Sequence, residues 1–271
     1  MSTLEFPEYL GHLRNESARF REVLSLCAPA ERVPGCPAWN AADLLWHLTG
    51  VQDFWATIIA TRPDGPSGDE SDQGATRPDT YAGILEAFDA ATSALTKALD
   101  TADPADAAWS WVSGAGSQTV GFTFRRQAHE ALIHRVDAEQ AAGARTAIDP
   151  ALAADGVTEV LDVMYGGCPP WGEFSPLPHY LRVELTDVDE QVWVQLGHFH
   201  GTDPDTGESY HEEDDIKVVA DPGVEPDAVI EGPAAEVDLW LWRRGDDELI
   251  KVHGDRRVYD HFRAAVHHPL N

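Results

Sequence analysis

AHEALIHRVDAE, residues 128–139, is the stretch on which the reading of this chain turns. His129 and Glu130 followed by His134 have the outline of the H-E-x-x-H zinc-protease signature, but three residues rather than two separate the glutamate from the second histidine. On an α-helix each residue turns by about 100°. With Glu130 at zero, His134 lies about 40° away, Gln127 about 60° and Asp137 about −20°, whereas His129 lies about 100° to the other side. His129 and His134 cannot comfortably share one ion. The protease arrangement, with histidines at i and i+4 and the glutamate between them, is excluded. What remains is Glu130 with His134 at i, i+4, a two-ligand clip for a divalent cation.

A clip of two needs a third ligand, and His47 is the candidate. Asn40 stands where an N-cap belongs, and Asp43 at N3 supports the helix start electrostatically. Beyond them Leu44, His47, Leu48, Val51, Trp55 and Ile58 recur at the spacing of a buried stripe, with His47 in place of an apolar residue. A neutral imidazole inside a bundle must find a partner for its ring nitrogens. Two histidines and one carboxylate make an open zinc-type site with a position left for water or substrate. Helical bundles build such sites from side chains on facing helices. Spacing alone leaves blander readings open: a core histidine satisfied by a hydrogen bond, and a surface pair of Glu130 and His134. Ala131, Ala138 and Ala141 flank the Glu130/His134 arc, while Arg125, His129, Glu139 and Gln140 occupy the opposite side. That favours an inward-facing arc, although Leu132 and Val136 also lie on the opposite side.

Outward from these two helices, residues 5–26 repeat Leu10, Leu13, Ser17, Phe20 and Leu24 with helical spacing. A turn-rich segment covers 31–39 and a Pro/Gly/Asp loop covers 62–79. Further helices are predicted over 80–99, 124–142 and 150–164. The character then changes. GGCPPWGEFSPLP (166–178) is a linker by composition, and LRVELTD (181–187), QVWVQLGHF (191–199), IKVVA (216–220) and LIKVHG (249–254) read as strands. Helices are predicted over 234–244 and 256–266. The expectation is a two-domain α+β protein, with a helical domain over 1–165 and a small α+β domain over 178–271.

The chain has 271 residues and 43% hydrophobic composition with nine Trp and nine Phe, enough for packed cores. Its net charge of −28, from 47 acidic against 19 basic residues, argues against nucleic acid or anionic membrane surfaces as partners, because both are polyanions. Cys27, Cys36 and Cys168 form no CxxC pair, the N-terminus lacks a signal-like basic and apolar run, and no apolar stretch is long enough to span a bilayer. A soluble cytoplasmic protein, monomeric or weakly oligomeric, is expected. Cys36 reads as a buried turn residue rather than a reactive thiol, and Trp39, Trp46 and Trp55 as core. In HFHGTDPDTGESYHEEDD (198–215), His198, His200 and His211 stand beside acids; an exposed acidic hairpin loop is favoured there over a second metal site. No Gly-rich phosphate loop and no G-x-S-x-G is present.

VPGCPAWNAADLLWHLTGV (33–51), followed by FRRQAHEALIHRVDAEQA (124–141) with its E-x-x-x-H-R-x-D core, resembles the mycothiol-dependent maleylpyruvate isomerase family, within the DinB-like bundle superfamily. AAEVDLWLWRRGDDELIKVHGD (234–255) is similar to that family's helix, arginine and glycine-turn pattern. The resemblance implies an up-down four-helix bundle with zinc, or another divalent metal, on His47, Glu130 and His134, and a small α+β domain after it. It also implies that an arginine, Arg243 or Arg244, serves activity, and that the cofactor is mycothiol or a similar low-molecular-weight thiol. The implied chemistry is a metal-activated thiol adding to a small electrophilic substrate, with arginines pairing to any substrate carboxylates. Conjugate addition, bond rotation and elimination would make it a cis–trans isomerase; transfer of the thiol would make it an S-transferase. Asp137, one turn past His134, is a candidate partner for that histidine. Substrate contacts are expected on loops such as 62–79 and 109–122. The competing expectation is a metal- or apolar-ligand-binding protein without turnover.

Overall fold

The structure, a computed structural model, describes residues 4–62, 65–66, 76–112, 116–267 and 270. Parts of the loops 62–79 and 109–122 therefore lie outside the described residues. Contacts divide the chain into two units, one spanning 4–147 and the other 148–271.

The first unit is a bundle of α1 (Phe6–Leu26), α2 (Ala41–Thr61), α3 (Tyr81–Thr101) and α4 (Val120–Ala141). Each start after α1 carries a side-chain cap. Asn40 Oδ1 accepts the Asp43 amide at 3.0 Å and Asp43 Oδ2 accepts the Asn40 amide at 3.2 Å, a complete capping box. Thr80 Oγ1 accepts the Gly83 amide at 3.1 Å and Thr119 Oγ1 the Phe122 amide at 3.3 Å, single caps for α3 and α4. The α1 stripe predicted from spacing (Leu10, Leu13, Ser17, Phe20 and Leu24) is buried.

Side-chain pairs give the helix directions. Phe6 packs on Phe124 and Arg19 bonds Glu139, so α1 and α4 run parallel. Arg14 pairs with Asp100 and Arg21 with Asp89, so α3 opposes α1. Trp55 meets Phe122 and His47 meets Glu130, so α2 opposes α4. The order is up, down, down, up, and strict alternation fails between α2 and α3. Gln52 ties three helices together: its Nε2 donates to Ser17 Oγ at 2.9 Å and its Oε1 accepts from Thr92.

Helix α4 is buried on nearly every side, including the polar side opposite Glu130 and His134. His129 is 1% exposed and stands edge-on to Tyr9. Glu139 accepts from Arg19 Nε at 2.8 Å, Arg135 Nη1 at 3.0 Å, and the amide and hydroxyl of Thr146 at 2.9 Å each. Arg135 also donates to Glu16 at 2.7 Å. This polar side is an ion network against α1, so its composition gave no sign of its burial.

The second unit contains α5 (Pro150–Glu159), a π-helical turn (Val160–Tyr165), β1 (Gly172–Leu185), β2 (Glu190–Thr202), β3 (Ser209–Val219), β4 (Ala228–Gly232), α6 (Ala234–Leu241), β5 (Lys251–Gly254) and α7 (Arg256–Ala265). The sheet order is β3-β2-β1-β4-β5, with β1 and β4 parallel and the other pairs antiparallel. Helix α5 packs on α6, where a Cβ at Gly156 would come within 2.9 Å of the Asp238 carboxylate. Residues 148–165 thus group with the sheet, whereas composition grouped them with the bundle.

Half of the segment read as a linker is strand. Gly172 lies under the Phe199 ring and Gly197 under the Phe174 ring, at distances only a missing Cβ permits. This reciprocal packing carries β1 back to Gly172, and the prolines fall near the register shift between Pro176 and Tyr180. Strand β4, AVIEG, was not predicted. It is short and is made a strand by pairing with β1 and β5.

Candidate metal centre

His47 lies two turns beyond the Asn40 cap on α2, and Glu130 and His134 lie one turn apart on α4. Antiparallel packing of the two helices brings these three side chains together. His134 Nε2 is 3.1 Å and His47 Nε2 3.5 Å from the same atom, Glu130 Oε1. All three ligand atoms fall within 4.8 Å of one another. For metal bonds of about 2.0–2.1 Å, tetrahedral ligand atoms stand roughly 3.3 Å apart, which these separations match.

The blander readings do not describe these residues. His134 is 3% and Glu130 17% exposed at the side chain, so they are no surface pair. His47 Nε2 is buried with no hydrogen-bond partner, so it is not a satisfied core histidine. A lone pair left bare beside a buried carboxylate is the condition a cation relieves. The donor set therefore fits a divalent metal held by His47, Glu130 and His134. His129 takes no part in it.

A surrounding layer fixes these atoms. Asp137, wholly buried, places Oδ2 3.0 Å from His134 Nδ1, which leaves Nε2 directed at the cluster. Cys36, buried as a turn residue, lies with Sγ 3.8 Å from the same Asp137 oxygen. Arg126, 2% exposed, donates to Glu130 Oε2 at 2.8 Å, leaving Oε1 for the histidines. Trp39 covers both imidazoles, with ring centroids 4.6 Å from His47 and 6.2 Å from His134. Arg126 escaped the sequence reading; its signal was its place one turn before Glu130.

Burial pushes the Glu130 carboxyl up, but its hydrogen bond with His134, the approach of His47 and the nearby positive charge of Arg126 outweigh it and hold the group well below the usual range. Burial pushes His134 down, but its bonds to Asp137 and Glu130 win and lift it to about 9. Beside His47 a pocket of about 400 Å³ is lined by Trp46, Gly50, Val51, Phe54 and Trp55, an apolar wall on the bundle.

Arg243 and Arg244 belong to the second unit, at the end of α6. Arg243 takes a left-handed φ of 62° and is exposed, with Nη1 donating to the His267 carbonyl at 2.9 Å. Arg244 is buried, donating to the Trp242 and Leu270 carbonyls at 2.8 and 3.0 Å.

A four-helix bundle bearing a His–carboxylate–His cluster, followed by a small α+β unit, defines the architecture of this protein. Residues 10–139 match the Mycothiol maleylpyruvate isomerase N-terminal domain and residues 151–261 match the MDMPI C-terminal domain. The chain belongs to the mycothiol-dependent maleylpyruvate isomerase family. Two solved structures share its fold. A crystal structure of a histidine-to-alanine mutant of the mycothiol-dependent maleylpyruvate isomerase is 15% identical, covering 93% of this chain and 95% of that chain with a TM-score of 0.58. A second structure of that isomerase is 14% identical over the same shares, with a TM-score of 0.55. No curated protein sequence matches. No helix among the described residues is long and apolar enough to cross a membrane.

Proposed function

We propose that the protein is a zinc-dependent cytoplasmic enzyme that activates mycothiol or a similar low-molecular-weight thiol for addition to a small electrophilic substrate, as a cis–trans isomerase or an S-transferase. The observation that carries this reading is the buried, unpartnered His47 Nε2 beside the Glu130 oxygen that His134 Nε2 also meets. A divalent ion on these three atoms supplies the positive charge that keeps a bound thiol ionised near neutral pH.

The chain's own residues do the rest. Asp137 fixes which nitrogen His134 offers, and Arg126 holds the far oxygen of Glu130 so that the carboxylate cannot turn away. Trp39 and the wall of Trp46, Val51, Phe54 and Trp55 keep water from one side of the centre and give apolar surface to a ligand. An arginine of the Arg243–Arg244 pair serves a carboxylate-bearing substrate; Arg243 is the exposed one, while Arg244 is held among carbonyls.

Two measurements test the reading. His134→Ala should lose one bound zinc equivalent relative to the parent chain; retention of that equivalent would sink the assignment. Mycothiol should give a saturable heat of binding that disappears after chelation. Thiol binding that ignores the metal, or none, would leave a binding protein without this chemistry.

A further inference from the structure

From the second unit alone, we propose that His198 Nδ1, Asp214 Oδ1 and His261 Nδ1 form a second divalent-metal site, of the zinc type. It is independent of the bundle centre and of the function proposed for it. Three elements supply the ligands. His198 on β2 and Asp214 on β3 are direct register partners in the antiparallel ladder, and α7, packed on β3, brings in His261. The three ligand atoms lie within 4.8 Å of one another.

Ring protonation on His261 is what points to a cation. Its Nε2 lies 2.9 Å from the Gly197 carbonyl, a contact that requires the N–H at that position. In the neutral ring Nδ1 then carries a lone pair, and it faces Asp214 Oδ1 at 3.2 Å. A lone pair against a carboxylate oxygen repels unless positive charge lies between them. That charge is either a second ring proton or a metal ion.

His198 decides between the two. Its Nδ1 is buried, has no hydrogen-bond partner, and lies 3.7 Å from the same Asp214 oxygen. A proton on His261 satisfies one contact and leaves His198 Nδ1 bare; one ion satisfies all three. The separations of 3.2 and 3.7 Å bracket the roughly 3.3 Å expected between ligand atoms on tetrahedral zinc. The Gly197 carbonyl serves as the outer hydrogen bond that fixes a ligating imidazole. Two imidazoles and one carboxylate favour zinc, nickel or copper over calcium or magnesium. The Asp214 side chain is 38% exposed, which leaves a coordination position open to water.

The other histidines of this hairpin stay outside the cluster. His200 Nδ1 accepts the Glu212 amide at 3.4 Å, beside the register shift between Phe199 and Gly201, and His211 is exposed. The sequence reading favoured an exposed acidic hairpin loop over 198–215, whereas residues 198–202 and 209–215 are strand, and it could not supply His261, which comes from a helix far along the chain.

The test uses the full chain, stripped by chelation and titrated with Zn²⁺, and with Co²⁺ for its visible absorption. In a His47→Ala/His134→Ala variant, which lacks the bundle ligands, one equivalent should remain bound through gel filtration. Adding His198→Ala/His261→Ala should remove it. A folded bundle variant that binds no metal overturns the proposal. If that variant fails to fold, His198→Ala/His261→Ala in the otherwise unchanged chain should bind one equivalent fewer than the parent, and equal stoichiometry overturns the proposal. Failure of the bundle centre would show separately, as a His198→Ala/His261→Ala variant that binds nothing.

Discussion

Glu130 and Glu139 stand on the same helix, the first largely and the second fully buried, and they are built for different ends. Glu139 accepts four hydrogen bonds, from Arg19, Arg135 and both donors of Thr146, so its acceptor capacity is filled by the chain itself. Glu130 has one oxygen clamped by Arg126 and the other shared between two imidazoles, one of whose nitrogens has no partner. A saturated carboxylate locks α4 to α1. An unsaturated one keeps a position for something the chain does not provide. The difference separates a structural from a functional acid where burial alone cannot.

The largest break in that contrast is expected from Glu139→Ala. It takes from the buried Arg135 guanidinium one of its two carboxylate partners, leaving Glu16, and should cost about 3 kcal/mol in urea unfolding, with metal content unchanged. The same carboxylate gives the acid response. Burial raises its pKa, but hydrogen bonds from Arg19 and Thr146 prevail and hold it below the ordinary value of 4.5. Its contribution is full above that value and lost as pH falls through the depressed native pKa. A Glu139→Gln chain should therefore show a flatter loss of stability below about pH 4.5.

His47→Ala should act the other way, weakening zinc binding by at least about 100-fold while the metal-free protein keeps its melting temperature. A matching drop in metal-free stability would mean His47 is a packing residue. Asp137→Asn keeps the shape but weakens the hold on His134 Nδ1, and should lower zinc affinity by about 10–100-fold, read by competition with a chelator. The smallest effect is expected of Asn40→Ala, which removes the cap before His47 and should cost about 1 kcal/mol with zinc stoichiometry unchanged.

The bundle centre was legible because its determinants are local. The turn from Glu130 to His134 is set by helix geometry, and His47 interrupts an otherwise apolar stripe. The Asn40 cap is likewise visible as a residue type at a fixed offset. What stayed hidden depends on partners far along the chain. Arg135 and Glu139 look like surface residues until α1 supplies Glu16 and Arg19. Residues 172–178 look like a linker until Phe199 and Gly197 pack against them, and AVIEG becomes a strand through β1 and β5. His198 and Asp214 are neighbours only through a register, and His261 joins them through tertiary packing.

The arrangement of helices gives the bundle centre a second consequence. Helices α2 and α4 touch each other far less than α2 touches α3 or α1 touches α4. The bundle is thus two tightly coupled pairs joined along a thinner seam, and the His47, Glu130 and His134 cluster spans that seam. An ion held there would act as a removable cross-link between distant parts of the chain, lowering the entropy cost of bringing the pairs together. Amide exchange along the α2–α4 seam should then quicken on chelation, while the α1–α4 lock at Glu139 stays closed.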